Sequence, residues 1–151
     1  MMHNNQPAVR LVYASQATFK PFTAHNGIDT NVTDILHTAR ENNQKHHLVG
    51  ALYYGNGCFV QCLEGSKTEI DDLYEKLQLD PRHEHLKVLQ LQEITAFGFA
   101  DWKMKYATID LQIRQFLRRH QMVKFDPYRL DSSMIDELVD IMHDAPETLP
   151  H

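Results

Sequence analysis

The stretch LVGALYYGNGCFVQCLEGSKTE, residues 48–69, contains two strand segments, the turn between them and the start of a helix. Residues 48–54 and 58–64 are rich in strand formers, and Gly55-Asn56-Gly57 readily adopts the positive φ angles of a tight turn. These features predict an antiparallel hairpin. Ser66-Lys67-Thr68-Glu69 then matches a capping box, in which the serine and glutamate satisfy free N–H groups at a helix start.

The residues after this stretch predict a helix, two strands and two further helices. Pro81 is expected to end the first of these helices. Residues 86–94 alternate as a strand does, and residues 102–108 predict another strand after the loop with Gly98. The apolar stripes of the three helices are Ile70, Leu73, Tyr74 and Leu77; Ile113, Phe116, Leu117 and His120; and Ile135, Leu138, Val139 and Met142. Ser132 or Ser133 is expected to cap the last helix.

The residues before the hairpin predict one strand and one helix. Residues 9–15 alternate, with Val9, Leu11, Tyr13 and Ser15 on one face. A polar, turn-prone segment covers residues 16–30, and Asn31 is the expected N-cap of the helix that follows. The apolar stripe of this helix is Val32, Ile35, Leu36 and Ala39.

The predicted order is βαββαββ followed by two helices, which indicates an α+β fold. We expect a ferredoxin-like, five-stranded mixed sheet with two helices on one face and the two C-terminal helices on the other. The predicted divisions are an N-terminal tail (1–8), a sheet domain (9–109) and a C-terminal helical extension (110–151).

The composition excludes several classes of protein. A formal charge of −5, with 42% apolar and 23% charged residues, is ordinary for a globular protein and favours neither nucleic acid nor anionic membrane as a partner. No apolar run approaches the roughly 20 residues of a membrane helix, and no signal peptide is evident, so we expect a cytoplasmic protein. Cys58 and Cys62 lie about 13 Å apart along one strand, too far for a disulfide.

Several hydrogen-bonding residues fall where the periodicity predicts core. Tyr13 interrupts the apolar face of the first strand, and Gln61 lies between Phe59 and Leu63. Asn43 extends the stripe of the first helix, and Asn42 flanks it. A buried amide without a partner costs about 1 to 3 kcal/mol, so these groups must bond each other, water or a ligand. Because the first and third strands are central neighbours in a ferredoxin-like sheet, we expect a pocket for a flat heteroaromatic molecule.

These residues belong to five ordered motifs that resemble the BLUF family, sensors of blue light using FAD. The resemblance covers residues 9–107. The motifs are Tyr-Ala-Ser-Gln from Tyr13, Asn42-Asn43, FVQCLEG at residues 59–65, DPRH at residues 80–83 and WKM at residues 102–104. The resemblance implies that residues 9–109 bind a flavin non-covalently, with FAD first and FMN or riboflavin as alternatives.

The resemblance also implies a role for each site residue. Tyr13 would be the photoactive tyrosine, and Gln61 would bridge it to the flavin and rearrange after light-driven electron and proton transfer. Trp102 and Met104 alternate on the last predicted strand, so we expect both to project to one side, and the resemblance implies that they carry the signal. The remaining flavin contacts would be Asn42 and Asn43 at the pyrimidine edge, Ile35, Leu52 and Phe59 along the ring, and Arg82 and His83 near the ribityl and phosphate end. The loop with Phe22, His25 and Asn26 is longer than is usual in the family.

We therefore expect a photoreceptor without enzymatic activity. We expect no effector domain after residue 109, so the output would be a contact with an unknown signalling protein or a homo-oligomer, through the C-terminal helices. One alternative is an acylphosphatase-like hydrolase on the same sheet. Another is a metal-binding regulator that uses histidines such as His46-His47 and His83-Glu84-His85.

Overall fold

A computed structural model describes residues 7–19 and 30–145 of the chain. The elements, in chain order, are β1 (Ala8–Ala17), α1 (Thr30–His46), β2 (Val49–Gly55), β3 (Cys58–Ser66), α2 (Lys67–Leu77), β4 (His83–Ile94), β5 (Lys105–Tyr106), α3 (Asp110–Arg119) and α4 (Ser132–Asp144), with a short 3-10 turn at Pro127–Arg129. The predicted long loop with Phe22, His25 and Asn26 lies outside the described residues, as do most of the predicted tail and residues 146–151.

The five strands form one sheet in the order β4-β1-β3-β2-β5. All neighbouring pairs are antiparallel except β2 and β5, which are parallel. The predicted ferredoxin-like arrangement with a fifth strand is confirmed. Its consequence for function is that β1 and β3 are central neighbours, with Tyr13 directly opposite Gln61.

The sheet separates two apolar cores, because successive strand residues point to opposite faces. Val9, Leu11 and Tyr13 of β1 pack with α1 and α2 on one face. Val12 packs with α3 and α4 on the other face. The predicted placement of two helices on each face is therefore confirmed.

The hairpin and the start of α2 follow from local sequence chemistry. Asn56 and Gly57 have φ angles of 52° and 74°, the left-handed region that asparagine and glycine tolerate best. Ser66 is the N-cap of α2, and its hydroxyl accepts a hydrogen bond from the Glu69 N–H at 3.3 Å. The predicted turn and the serine half of the predicted capping box are confirmed, whereas the Glu69 carboxylate contacts His46 Nδ1 at 2.7 Å.

Three predicted helix boundaries are wrong by a few residues. α1 begins at Thr30, so Asn31 lies inside the first turn and is not the N-cap. The N-cap of α4 is Asp131, whose carboxylate accepts from the Met134 N–H at 2.9 Å and also suits the positive end of the helix dipole. α2 ends at Leu77, four residues before Pro81, and a turn follows in which the Leu79 N–H donates to the Lys76 carbonyl at 3.0 Å.

The strand limits also differ from the prediction. β1 extends to Ala17, which pairs with His83, so β4 begins at His83 and not at residue 86. β5 contains only Lys105 and Tyr106, because pairing with β2 starts at Lys105. The preceding Trp102 and Met104 are therefore not alternating strand residues.

Trp102 and Met104 lie on opposite faces of the sheet, which corrects the expectation that both project to one side. Met104 is completely buried in the core that contains Tyr13 and α1. Trp102 packs against the core formed by α3 and α4.

Among the described residues, none of the helices combines the length and the apolar character that a membrane span requires.

Candidate functional site

A cavity lies between α1 and α2, above the centre of the sheet. The space between the atoms there amounts to about 680 Å³, part of which is open to solvent. Nine of the residues predicted from the sequence line it: Tyr13, Ile35, Asn42, Asn43, Leu52, Phe59, Gln61, Arg82 and His83. Met104 lies behind this wall, against Gln61, and Trp102 lies on the far side of the sheet.

Tyr13 and Gln61 form a buried pair at the floor of the cavity. Their side chains are only 2% and 6% exposed, and the Tyr13 hydroxyl donates to Gln61 Oε1. Burial, assisted by the nearby Tyr74 and Asp80, raises the pKa of the Tyr13 hydroxyl well above its ordinary value. The phenol therefore keeps its proton at neutral pH and can serve as a hydrogen-bond donor.

The other end of the Gln61 amide faces Met104. Gln61 Nε2 lies 3.8 Å from Met104 Sδ, and a thioether sulfur is a weak acceptor. One amide thus contacts a phenol through its oxygen and a methionine through its nitrogen.

Asn43 carries a polar atom that the described residues leave unsatisfied. The residue is 1% exposed, and its Nδ2 donates to the backbone carbonyl of Lys103. That bond fixes the orientation of the amide, because a carbonyl can only accept. Asn43 Oδ1 has no hydrogen-bond partner among the described residues. A buried acceptor in this state fits a ligand that presents an N–H group, as the pyrimidine edge of a flavin does.

Arg82 and His83, the basic residues expected near the phosphate end of the flavin, both bond other residues of the chain. The Arg82 guanidinium contacts the Asp80 carboxylate at 2.7, 3.0 and 3.2 Å, and these hydrogen bonds hold the pKa of Asp80 below its ordinary value. His83 Nε2 donates to the Leu77 carbonyl at 2.7 Å, so its Nδ1 accepts from the Ser15 hydroxyl at 2.8 Å when the ring is neutral.

The walls of the cavity are aromatic and aliphatic. Phe59 packs against Tyr54, with ring centroids 4.7 Å apart, and Tyr13 makes an edge contact with Tyr74 at 5.5 Å. Such walls suit the faces of a planar ring system, and the amides provide contacts for its edge. The residues present therefore fit a flavin.

Six further residues line the cavity that sequence reasoning did not identify: Thr38, Ala39, Leu73, Lys76, Leu77 and Asp80. Most of them could have been found from helical spacing. Thr38 and Ala39 lie three and four residues after Ile35 on α1, and Lys76 lies three residues after Leu73 on α2.

The histidine pairs proposed as metal ligands do not come together as a site. His46 Nδ1 contacts a carboxylate oxygen of Glu69 at 2.7 Å, whereas His83 bonds Ser15 and Leu77. Within residues 7–19 and 30–145, no group of three or more His, Cys, Asp or Glu side chains could hold a metal ion.

Comparisons with known proteins agree with this geometry. The family model described as "BLUF: Sensors of blue-light using FAD" matches residues 8–105. Photoactivated adenylate cyclase subunit beta of Euglena longa is 34% identical over 102 residues, which are 67% of this chain and 11% of that protein. The chain therefore matches about a tenth of the length of this curated relative.

Two solved structures of BlsA are also similar. The one described as its ground state is 32% identical, has a TM-score of 0.84 and covers 94% of this chain and 91% of that chain. The one described as its photo-activated state is also 32% identical, has a TM-score of 0.83 and covers 95% of this chain and 99% of that chain.

Proposed function

The chain belongs to the BLUF family, sensors of blue light using FAD, and from this membership we propose that it is a blue-light photoreceptor whose switch is the Tyr13–Gln61 pair. The observation that carries the proposal is this buried pair, which lies at the floor of a cavity with Met104 on the other end of the Gln61 amide. We propose no enzymatic activity for residues 7–145.

The cavity residues would hold the flavin without a covalent bond. Asn43 Oδ1 would accept the ring N–H at the pyrimidine edge, and Asn42 would add a second polar contact. Ile35, Leu52 and Phe59 would cover the ring faces. The ribityl chain would leave past Arg82 and His83. FAD is the proposed form, with FMN and riboflavin as alternatives.

A bound flavin would supply the absorption of blue light and an excited state able to accept an electron and a proton. Tyr13 is the donor that this chain offers, through its O–H group on Gln61 Oε1. The proton would pass by way of the Gln61 amide, and the electron and the proton would then both return to Tyr13, which would leave the amide in a different arrangement. The stored signal is thus a change of hydrogen bonds.

The Gln61 amide can occupy two arrangements because a phenol both donates and accepts. In the first, Tyr13 donates to Oε1 and Nε2 faces Met104. After the amide turns over, Nε2 would donate to the Tyr13 oxygen and Oε1 would face the sulfur. Gln61 Oε1 and Met104 Sδ are both acceptors and would repel each other, so Met104 is expected to move away from Gln61.

The signal would leave through the segment that contains Met104 and through α3 and α4. Leu111 on α3 is 56% exposed, and Val123 in the loop after α3 is fully exposed. We propose that this C-terminal region contacts a partner protein or a second copy of the chain. Identical crosslinking in darkness and in light would contradict this proposal.

A small hydrolase similar to acylphosphatase was the alternative. Such a site needs an arginine that is available to a phosphate group, whereas Arg82 is held by Asp80. The family match supports the photoreceptor and gives the hydrolase no support.

The direct test is the visible spectrum of the purified full chain before and after blue illumination. We expect a yellow protein with a flavin spectrum that shifts reversibly to the red, because the new amide arrangement bonds the flavin carbonyl differently. A protein that carries no pigment and binds none when FAD is added would contradict the proposal.

A further inference from the structure

Lys105 is a completely buried lysine on the face of the sheet opposite the cavity. Its Nζ donates to the backbone carbonyl of His143 at 2.7 Å and lies 4.2 Å from the centroid of the Trp102 ring. His143 is next to the last residue of α4, and carbonyls in the last turn of a helix have no partner within the helix. Lys105 therefore caps the C-terminus of α4 by donating to one of these carbonyls.

The residue before Lys105 is tied to the cavity side of the sheet. Met104 Sδ contacts Gln61, and the Met104 carbonyl accepts from Arg40 Nε of α1 at 3.0 Å. The Lys103 carbonyl accepts from Asn43. Two consecutive residues, Met104 and Lys105, are thus held from opposite faces of the sheet.

The chain on either side of this segment is fixed, so a displacement of Met104 cannot spread far along the backbone. Upstream, the buried carboxylate of Glu64 accepts from the backbone N–H groups of Gly98 and Phe99 at 3.1 and 2.9 Å and is paired with Arg10 at 2.7 Å. Downstream, the Ala107 N–H donates to the Leu52 carbonyl at 2.9 Å.

We propose that the hydrogen bond from Lys105 to the His143 carbonyl couples the light-sensing site to the end of α4. The inference rests on the proposed function, in which the turned Gln61 amide displaces Met104. The displacement carries the adjacent Lys105 away from the His143 carbonyl. The last turn of α4 then loses its cap and opens more often.

Hydrogen exchange of the flavin-loaded full chain, measured in darkness and under blue light, tests this coupling. In the wild type we expect amide exchange in residues 139–145 to rise roughly tenfold on illumination, the effect of losing a hydrogen bond that contributes about 1.4 kcal/mol. Lys105→Met keeps most of the side-chain volume and removes the donor. It should exchange as fast in darkness as the wild type does in light, with its light-induced spectral shift intact.

Lys103→Met is the matched control, because Lys103 is exposed and its bond to Asn43 uses only the backbone. It should behave as the wild type does. A normal spectral shift with unchanged exchange at residues 139–145 in the wild type overturns the coupling alone, and this holds even where Lys105→Met fails to fold. A light-dependent difference that persists in folded Lys105→Met also overturns it. A wild type without any spectral shift contradicts the proposed function, and the coupling falls with it.

Discussion

Met104 and Trp102 are two residues apart in the chain and lie on opposite faces of the sheet. Met104 is buried beside Gln61, whereas the Trp102 ring lies under Lys105 near the end of α4. The two side chains therefore contact different ends of the proposed signalling route.

This separation predicts different effects for the two substitutions. Met104→Ala removes the sulfur contact of Gln61 Nε2 and should change the dark flavin spectrum or the rate of dark recovery. Trp102→Phe should leave both unchanged within error, because the ring is on the far side of the sheet. Absorption spectra and recovery traces of the two variants check this, and a larger spectral effect of Trp102→Phe would contradict the arrangement.

Asn43→Ala should weaken flavin binding. The substitution removes the acceptor Oδ1 and releases the Lys103 carbonyl. A lost hydrogen bond of about 1 to 3 kcal/mol corresponds to roughly 5- to 150-fold in the dissociation constant. Gln44→Ala is the matched control, because Gln44 is the exposed neighbour on α1. Titration of each apoprotein with FAD measures its dissociation constant. If Asn43→Ala and Gln44→Ala bind FAD equally tightly, Asn43 does not contact the flavin.

Asp80→Asn should change which flavins are preferred. Asp80 holds the Arg82 guanidinium, so its neutralisation frees a cation at the end of the cavity where the phosphate would lie. We expect FMN and FAD to bind several-fold more tightly, with riboflavin unaffected. Glu75→Gln, an exposed acid on α2, is the control for net charge. An equal gain in affinity for FAD, FMN and riboflavin would show that Arg82 does not reach the phosphate.

Tyr13 also predicts how stability depends on pH. Its pKa is raised in the folded protein by burial, whereas an unfolded tyrosine ionises near pH 10. The folded state therefore binds the Tyr13 proton more tightly, so the contribution of Tyr13 to stability is constant below about pH 10 and falls above it, by about 1.4 kcal/mol per pH unit. Tyr13→Phe should make this alkaline fall less steep, which denaturant unfolding between pH 8 and pH 11 measures. The same slope in both proteins would argue against a buried neutral phenol.

Much of the fold was predictable because local chemistry determines it. The Asn56-Gly57 turn, the Ser66 cap and the alternation along β1 each depend on neighbouring residues. The proximity of Tyr13 and Gln61 followed from that alternation together with the central position of β1 and β3 in the sheet.

The parts that could not be predicted depend on contacts between distant residues. Period two predicted one side for Trp102 and Met104, but that rule applies only within a paired strand, and pairing begins at Lys105. Lys105 itself would be expected at the surface, since lysine is rarely buried. Its partner carbonyl lies 38 residues away on α4, so only the assembled fold reveals the pair.

The light-minus-dark difference spectrum of Gln61→Leu, recorded beside the wild type, tests the central claim most directly. Leucine keeps the apolar packing and removes both ends of the amide, so the account predicts a flavin-loaded protein without the reversible red shift. Gln92→Leu, an exposed glutamine on β4, should retain the full shift. A normal reversible shift in Gln61→Leu would contradict the account.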